Sequence, residues 1–215
     1  MPAQIVGLRN DQDGLTEHDA VRVTRDGGQV VTATHGYHYE ANSRGRIYTG
    51  SSASTGIALI VPATTGGHPT LWNPSDSGRN LSIVRVALGY VSGNNAPTTI
   101  EWASTLNTGG SVGTGQPILT ATFVDPVGVL GTGVQNKGRW SPTTNTFTAA
   151  PTFLRSSGLS LFTGVAATAV APFVLRSDYH GDFVIGPGTA VSLCTQAATT
   201  TALFQVSITW EEIAV

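Results

Sequence analysis

The chain has 215 residues, enough for one sizeable domain with an appendage, and at 40% hydrophobic it can build a core without staples. A net charge of -2 on so apolar a chain excludes wholesale disorder, and the lack of a basic stripe removes the electrostatic hold that nucleic acid binding needs. Only 11% of residues are charged, against about 25% in an ordinary soluble domain, and Lys137 is the single lysine.

Helix surfaces are normally clothed in Glu, Lys, Gln and Arg. Here Thr, Ser, Gly and Asn must cover the outside, with 26 Gly and 11 Pro to turn the chain, and that composition predicts an all-β protein. One cysteine, Cys194, rules out an intrachain disulfide framework. The first residues carry no apolar leader, and no run of about 18 apolar residues offers a membrane span, so synthesis and folding in a cytoplasm are expected, with no membrane partner.

Residues 1–50 hold 11 charged side chains and residues 51–215 hold 13, a shift in density that places a boundary near the Gly50-Ser51-Ser52-Ala53-Ser54-Thr55-Gly56 stretch. Ahead of it, the β-branched runs 20–24 and 29–34 flank Arg25-Asp26-Gly27-Gly28. An Asp-Gly pair between such runs predicts a hairpin. Tyr37 and Tyr39 alternate with His38 and Glu40 as a further extended segment. So few large aliphatics cannot hold a core alone, so residues 1–50 read as an arm lying on the body or on a neighbouring subunit. Tyr37, His38, Tyr39, Arg44 and Arg46 are its expected interface residues.

In the body, residues 57–61 read as a strand ended by Pro62. Residues 81–91 form a long strand with Val84, Val86, Leu88 and Tyr90 on one face, and Ile100 shares a face with Trp102. Further strands are expected at 118–124, 159–162, 173–175 and 182–185, with a helical turn within 125–134. The pair Ala150-Pro151-Thr152-Phe153-Leu154-Arg155 and Ala171-Pro172-Phe173-Val174-Leu175-Arg176 is repeat-like but occurs only twice. After the Gly186-Pro187-Gly188 turn and residues 190–195 comes the clearest strand. Phe204, Val206, Ile208 and Trp210 point one way, and Gln205, Ser207 and Thr209 the other. Eight to ten short strands between turns predict a jelly-roll-like antiparallel β-sandwich in residues 51–215, with an extended N-terminal β-arm in residues 1–50.

The chain carries no phosphate loop, nucleophile elbow or zinc helix, and no enzyme activity, cofactor or metal is expected. A cupin-type enzyme would need a His-x-His pair, which is missing. Cys194 lies in an apolar strand pattern and reads as a core residue. His35 and His38 face opposite sides of an extended segment and cannot share an ion. Asp178, His180 and Asp182 share a face if extended and would suit a divalent ion, although Asp-flanked His-Gly is also ordinary turn chemistry. Asp11-Gln12-Asp13-Gly14 is a fragment of a calcium loop without its distal Glu. Trp72 and Trp140, beside Pro74 and Pro142 in loop-like sequence, are candidates for stacking on glycans or for pinning loops.

Two stretches carry a resemblance. His35-Gly-Tyr-His-Tyr-Glu-Ala-Asn-Ser-Arg-Gly-Arg-Ile-Tyr48 and Leu71-Trp-Asn-Pro-Ser-Asp-Ser-Gly-Arg-Asn-Leu81 are similar to segments of certain tailed-bacteriophage virion structural proteins. The resemblance implies a virion protein assembled in the host cytoplasm and released by lysis, commonly trimeric. The first expectation is a capsid decoration (cement) protein whose arm docks on the major capsid protein or another virion protein. The alternative is a tail or head fibre module that binds host surface glycans.

Overall fold

The computed structural model describes residues 5–8, 18–21, 38–93, 97–106, 118–120, 127–128, 136–161, 174–197 and 201–215. The chain divides into two compact units, Met1–Tyr39 and Glu40–Val215. In the first, β1 (Ile5–Leu8) pairs antiparallel with β2 (His18–Val21), Ile5 opposite Val21. The remainder of the expected hairpin, residues 22–34, lies outside the described residues.

Tyr39 and Glu40, expected to be extended, instead belong to a short helix, α1 (Tyr39–Ser43). Gly45 ends it at a φ of 65°, a left-handed conformation that glycine adopts without steric cost. The Gly45 amide donates to the Asn42 carbonyl and the Arg46 amide to that of Ala41, both at 2.9 Å, the two bonds of a Schellman cap. The cap turns the chain into β3 (Ile47–Ser51), so the glycine–serine stretch expected as a joint begins inside the second unit.

The remaining strands are β4 (Thr65–Gly67), β5 (Thr70–Asn73), β6 (Arg79–Ser92), β7 (Thr98–Leu106), β8 (Ile118–Thr120), β9 (Val127–Gly128), β10 (Arg139–Ser141) and β11 (Thr144–Phe147). After them come β12 (Thr152–Leu161), β13 (Val174–Asp178), β14 (Val184–Ile185), β15 (Thr189–Thr195) and β16 (Leu203–Ala214). They form a five-stranded sheet in the order β10-β5-β15-β7-β12 and a six-stranded sheet built on β13-β6-β16-β3-β9, with β14 beside β6. A small sheet, β4-β11-β8, makes a third layer. The described chain is almost entirely β and every strand pair is antiparallel, as the composition predicts.

The long strands pair in a nested way. Taking β3, β5, β6, β7, β12, β13, β15 and β16 in chain order, the first pairs with the last and the second with the seventh. The third pairs with the sixth and the fourth with the fifth. Successive pairs alternate between the two large sheets, so the chain resembles one long hairpin ribbon wrapped around a core.

That core draws on both sheets. Leu81, Ile83, Val86, Leu88, Phe204, Val206, Ile208 and Trp210 come from the six-stranded sheet. They meet Leu71, Ile100, Trp102, Trp140, Val191 and Leu193 of the five-stranded sheet. The alternation read along β16 holds over its length.

On β6 the expected face holds for Val86, Leu88 and Tyr90 but not for Val84. Thr209 pairs with Arg85 and Trp210 with Ile83, so Val84 is the extra residue of a bulge. Leu81 and Ile83 point inward before it, Val86 and Leu88 after it, and Val84 turns to the outer face against Ala41 and Ile47. Residues 57–61 are not a strand either: Ile57 exchanges backbone hydrogen bonds with Phe204 on one sheet, while the Ile60 carbonyl accepts from Thr195 on the other. A segment that crosses between sheets cannot run in a ladder. Of the helical turn expected within 125–134, Val127–Gly128 is a strand paired to β3, and the rest lies outside the described residues.

Candidate functional site

Trp72 and Trp140 lie on strands rather than loops, Arg139 pairing with Trp72 and Trp140 with Leu71. Pro74 and Pro142 merely follow the last residues of β5 and β10. Trp140 is fully buried, its indole N–H donating to the Ser51 carbonyl at 3.2 Å, so it has no free face for a sugar ring. Trp72 is half-buried against Phe147 and Ala190.

Of the arm residues, Arg44 and Arg46 belong to the second unit. Tyr37 lies outside the described residues. His38 is half-buried, Tyr39 and Arg44 are exposed, and Arg46 forms a 3.3 Å ion pair with Glu211. Asp178, His180 and Asp182 do not converge. Asp178 is gripped by Arg85 at 2.6 Å and Arg176 at 2.8 Å, and Arg85 first of all holds its carboxyl below the usual range. Asp182 pairs with Arg155 at 3.1 Å, and His180 is exposed. Among the described residues, no three His, Cys, Asp or Glu side chains gather as a metal centre requires.

Two buried polar clusters went unread in the sequence. Between the five-stranded sheet and the small sheet, His68, Thr70, Ser141, Asn145, Ser192 and Cys194 are all fully buried. Asn145 donates to the His68 carbonyl at 2.5 Å and accepts from the Ser141 hydroxyl at 2.6 Å, while Thr70 and Ser192 share a 2.8 Å bond. The Ala63 amide donates to His68 Nε2 at 3.3 Å, which puts the ring proton on Nδ1, 3.4 Å from Cys194 Sγ. Burial lowers the pKa of His68 and pushes the Cys194 thiol up to about 12. A thiol so held is no nucleophile. In the second cluster the Glu212 carboxylate accepts from the amides of Lys137 and Gly138 at 2.8 Å each, pinning that segment to β16.

Among the described residues, a cavity of about 380 Å³ opens beside β7 and β12. Strand β7 supplies Ser104 and Thr105, the segment after β11 supplies Thr148, Ala149 and Ala150, and the start of β12 supplies Thr152, Phe153 and Leu154. Thr105 is only 6% exposed, and its hydroxyl is buried without a hydrogen-bond partner. Phe153 and Leu154 are 48% and 53% exposed. The only hint of this site in the sequence is the paired Ala-Pro repeat, since its two copies lead into β12 and β13, edge strands of the two large sheets.

No protein-family model, curated protein or solved structure matches this chain. Function therefore rests on the geometry and on the two motif stretches. The second of these is a corner between sheets. Asn73, fully buried, donates to the carbonyls of Arg79 at 2.8 Å and Ile185 at 2.9 Å, and Gly78 turns at a φ of 60° to start β6.

Proposed function

We propose that the chain is a structural virion protein of a tailed phage, a capsid decoration protein whose body is a jelly-roll and whose N-terminal unit docks on the shell or on neighbouring subunits. The observation that carries this reading is the nested pairing of eight strands, first with last through fourth with fifth, alternating between two sheets. It supports the jelly-roll reading, an architecture in which two Greek keys wrap into a double sheet and which viral capsid domains share with lectins and cupins. Three further features support it: a surface dressed in Thr, Ser and Gly with a single lysine, an N-terminal unit distinct from the body, and a phage-like motif that builds the inter-sheet corner.

The test is addition of purified protein to expanded capsids that lack it. Binding, with raised resistance of the capsids to heat, is expected, and removal of residues 1–39 should abolish docking while leaving the body folded. Light scattering should show a trimer at micromolar concentration. Protein that ignores capsids but coats host cells would overturn the decoration reading in favour of a fibre module.

A further inference from the structure

Most of the small sheet is the end of a bent ribbon. His68-Pro69 joins β4 to β5, and Pro142-Thr143 joins β10 to β11. The pair β5–β10, ending at Thr70 opposite Ser141, therefore runs into the pair β4–β11, starting at Gly67 opposite Thr144. The two prolines at the corner have no N–H to give a ladder. Asn145 stitches the corner, accepting from Ser141 and donating to the carbonyls of His68 and Thr143. The ribbon's apolar hold is small: Phe147 rests on Ala190 and Trp72, and Ile57 and Ile60 lie beside the glycines of β4. The main core, by contrast, spans both large sheets. Elements with so few apolar contacts open before the rest of a protein does.

His68, at that corner, is the group whose charge changes nearest neutral pH. Its ring is fully buried, with Phe147 5.7 Å away. Nε2 accepts from the Ala63 amide, and Nδ1–H points at Cys194 Sγ. A second proton would set an N–H on Nε2 against the N–H of Ala63, donor facing donor. The new charge would find no counter-ion either. Cys194 on β15 keeps its proton, its pKa pushed up to about 12. Glu101, opposite Cys194 on β7, is bound to Gln196 at 3.3 Å, and Arg139 on β10 is an exposed like charge. Strands β4, β5, β8 and β11 and residues 57–64 bring no titratable side chain. A buried imidazolium without a partner is costly, and water reaches it only if the ribbon lifts.

We propose that β4 and β11 form an acid-released flap: protonation of His68 lifts the ribbon about its two-proline corner and uncovers Cys194 while the main core stays folded. In the open flap the ring titrates near the ordinary value of about 6.5. In the closed one, burial lowers its pKa. The flap is therefore held in full above about pH 6.5. Below that its open population rises roughly tenfold per pH unit until the closed ring itself titrates. The proposal stands whether or not the chain binds capsids.

The experiment traps Cys194 in the full chain with 4,4′-dithiodipyridine, a disulfide that thiols attack in acid as well as at neutral pH. Rates are taken from pH 7.5 to 4.5, each divided by that of the urea-unfolded chain at the same pH. Near-ultraviolet circular dichroism follows Trp102, Trp140 and Trp210 of the main core, and amide exchange follows residues 65–67 and 144–147. In wild type, relative labelling should rise about tenfold or more between pH 6.5 and 5, and both strands should lose protection, with the tryptophan signal unchanged. His68→Gln keeps an acceptor toward Ala63 and cannot charge, so its labelling should stay flat. If that variant does not fold, the NMR shift of the wild-type His68 ring decides, since its titration must coincide with the rise in labelling. Labelling indifferent to pH, a rise shared by His68→Gln, a rise that accompanies loss of the tryptophan signal, or a ring titration apart from the rise would each overturn the proposal.

Discussion

Gly50→Ala should destabilise the body sharply although it adds one methyl group. Gly50 sits in β3 opposite Ile208, and the Trp140 indole reaches across the core onto its backbone. A Cβ at Gly50 would lie 2.5 Å from Trp140 Cγ, 2.6 Å from Cδ1 and 2.8 Å from Cδ2, distances that real Cβ atoms do not show. Overpacking a core by a methyl costs about 1–3 kcal/mol. The indole cannot retreat freely, because it is fully buried and its N–H holds the Ser51 carbonyl, worth about 1 kcal/mol more if lost. A loss of about 3 kcal/mol lowers the midpoint of a domain this size by about 6–12 °C. The assay is thermal melting by near-ultraviolet circular dichroism, which reports Trp102, Trp140 and Trp210, all buried in the core. Gly89→Ala in β6 is the matched control, since a Cβ there meets nothing within 4 Å, and it should leave the midpoint unchanged or slightly raised. Combining Gly50→Ala with Trp140→Phe should recover part of the loss, a coupling of about 1–3 kcal/mol. Equal midpoints for the two alanine variants, or strict additivity with Trp140→Phe, would refute the packing argument.

Glu212→Ala leaves the Lys137 and Gly138 amides without their carboxylate and should cost about 3 kcal/mol in urea unfolding, while Glu212→Gln, which keeps one acceptor, should cost less. Equal losses would show that the carboxylate is not what holds this segment. His68 ties stability to pH. Its folded pKa is lowered, so below the ordinary imidazole value of about 6.5 the unfolded chain binds a proton that the native ring resists. Its contribution is complete above that pH and is lost as pH falls. Urea midpoints measured from pH 8 to 5 should drop more steeply for wild type than for His68→Gln, and parallel curves would contradict this. Cys194, with its pKa raised to about 12, should resist iodoacetamide at pH 8 in the native protein and react promptly in urea, as mass spectrometry will show. Rapid native labelling would mean that the small sheet does not cover it.

What the sequence disclosed follows the reach of each signal. The alternation of Phe204, Val206, Ile208 and Trp210 was readable because β16 keeps its register over that stretch apart from a bulge taken up by its neighbour. On β6 the same reasoning misplaced Val84, since nothing local announces that one residue is skipped in the pairing. Trp72 and Trp140 were read as loop residues because prolines stand close by, yet proline bars only what comes after the strand. Strand β15 is buried on both faces, and the polar Ser192, Cys194 and Thr195 are hidden by pairing with residues far away in the chain. The His68 contact with Cys194 spans 126 residues and leaves no periodic trace in either segment. Thr105 was equally silent, because an unpartnered hydroxyl is a property of its surroundings.

The place of β16 between β6 and β3 constrains how the body is made. As the ribosome delivers the chain, β3 appears early but the strand that joins it to β6 follows much later, so the six-stranded sheet stays split until residues 203–214 have emerged. The body therefore cannot close until β16 has been made, and contacts this distant along the chain make closure slow. A truncation that removes β16 should yield an insoluble product rather than a smaller folded one, and cells making the protein must shelter the waiting edges of β3 and β6 in the interval.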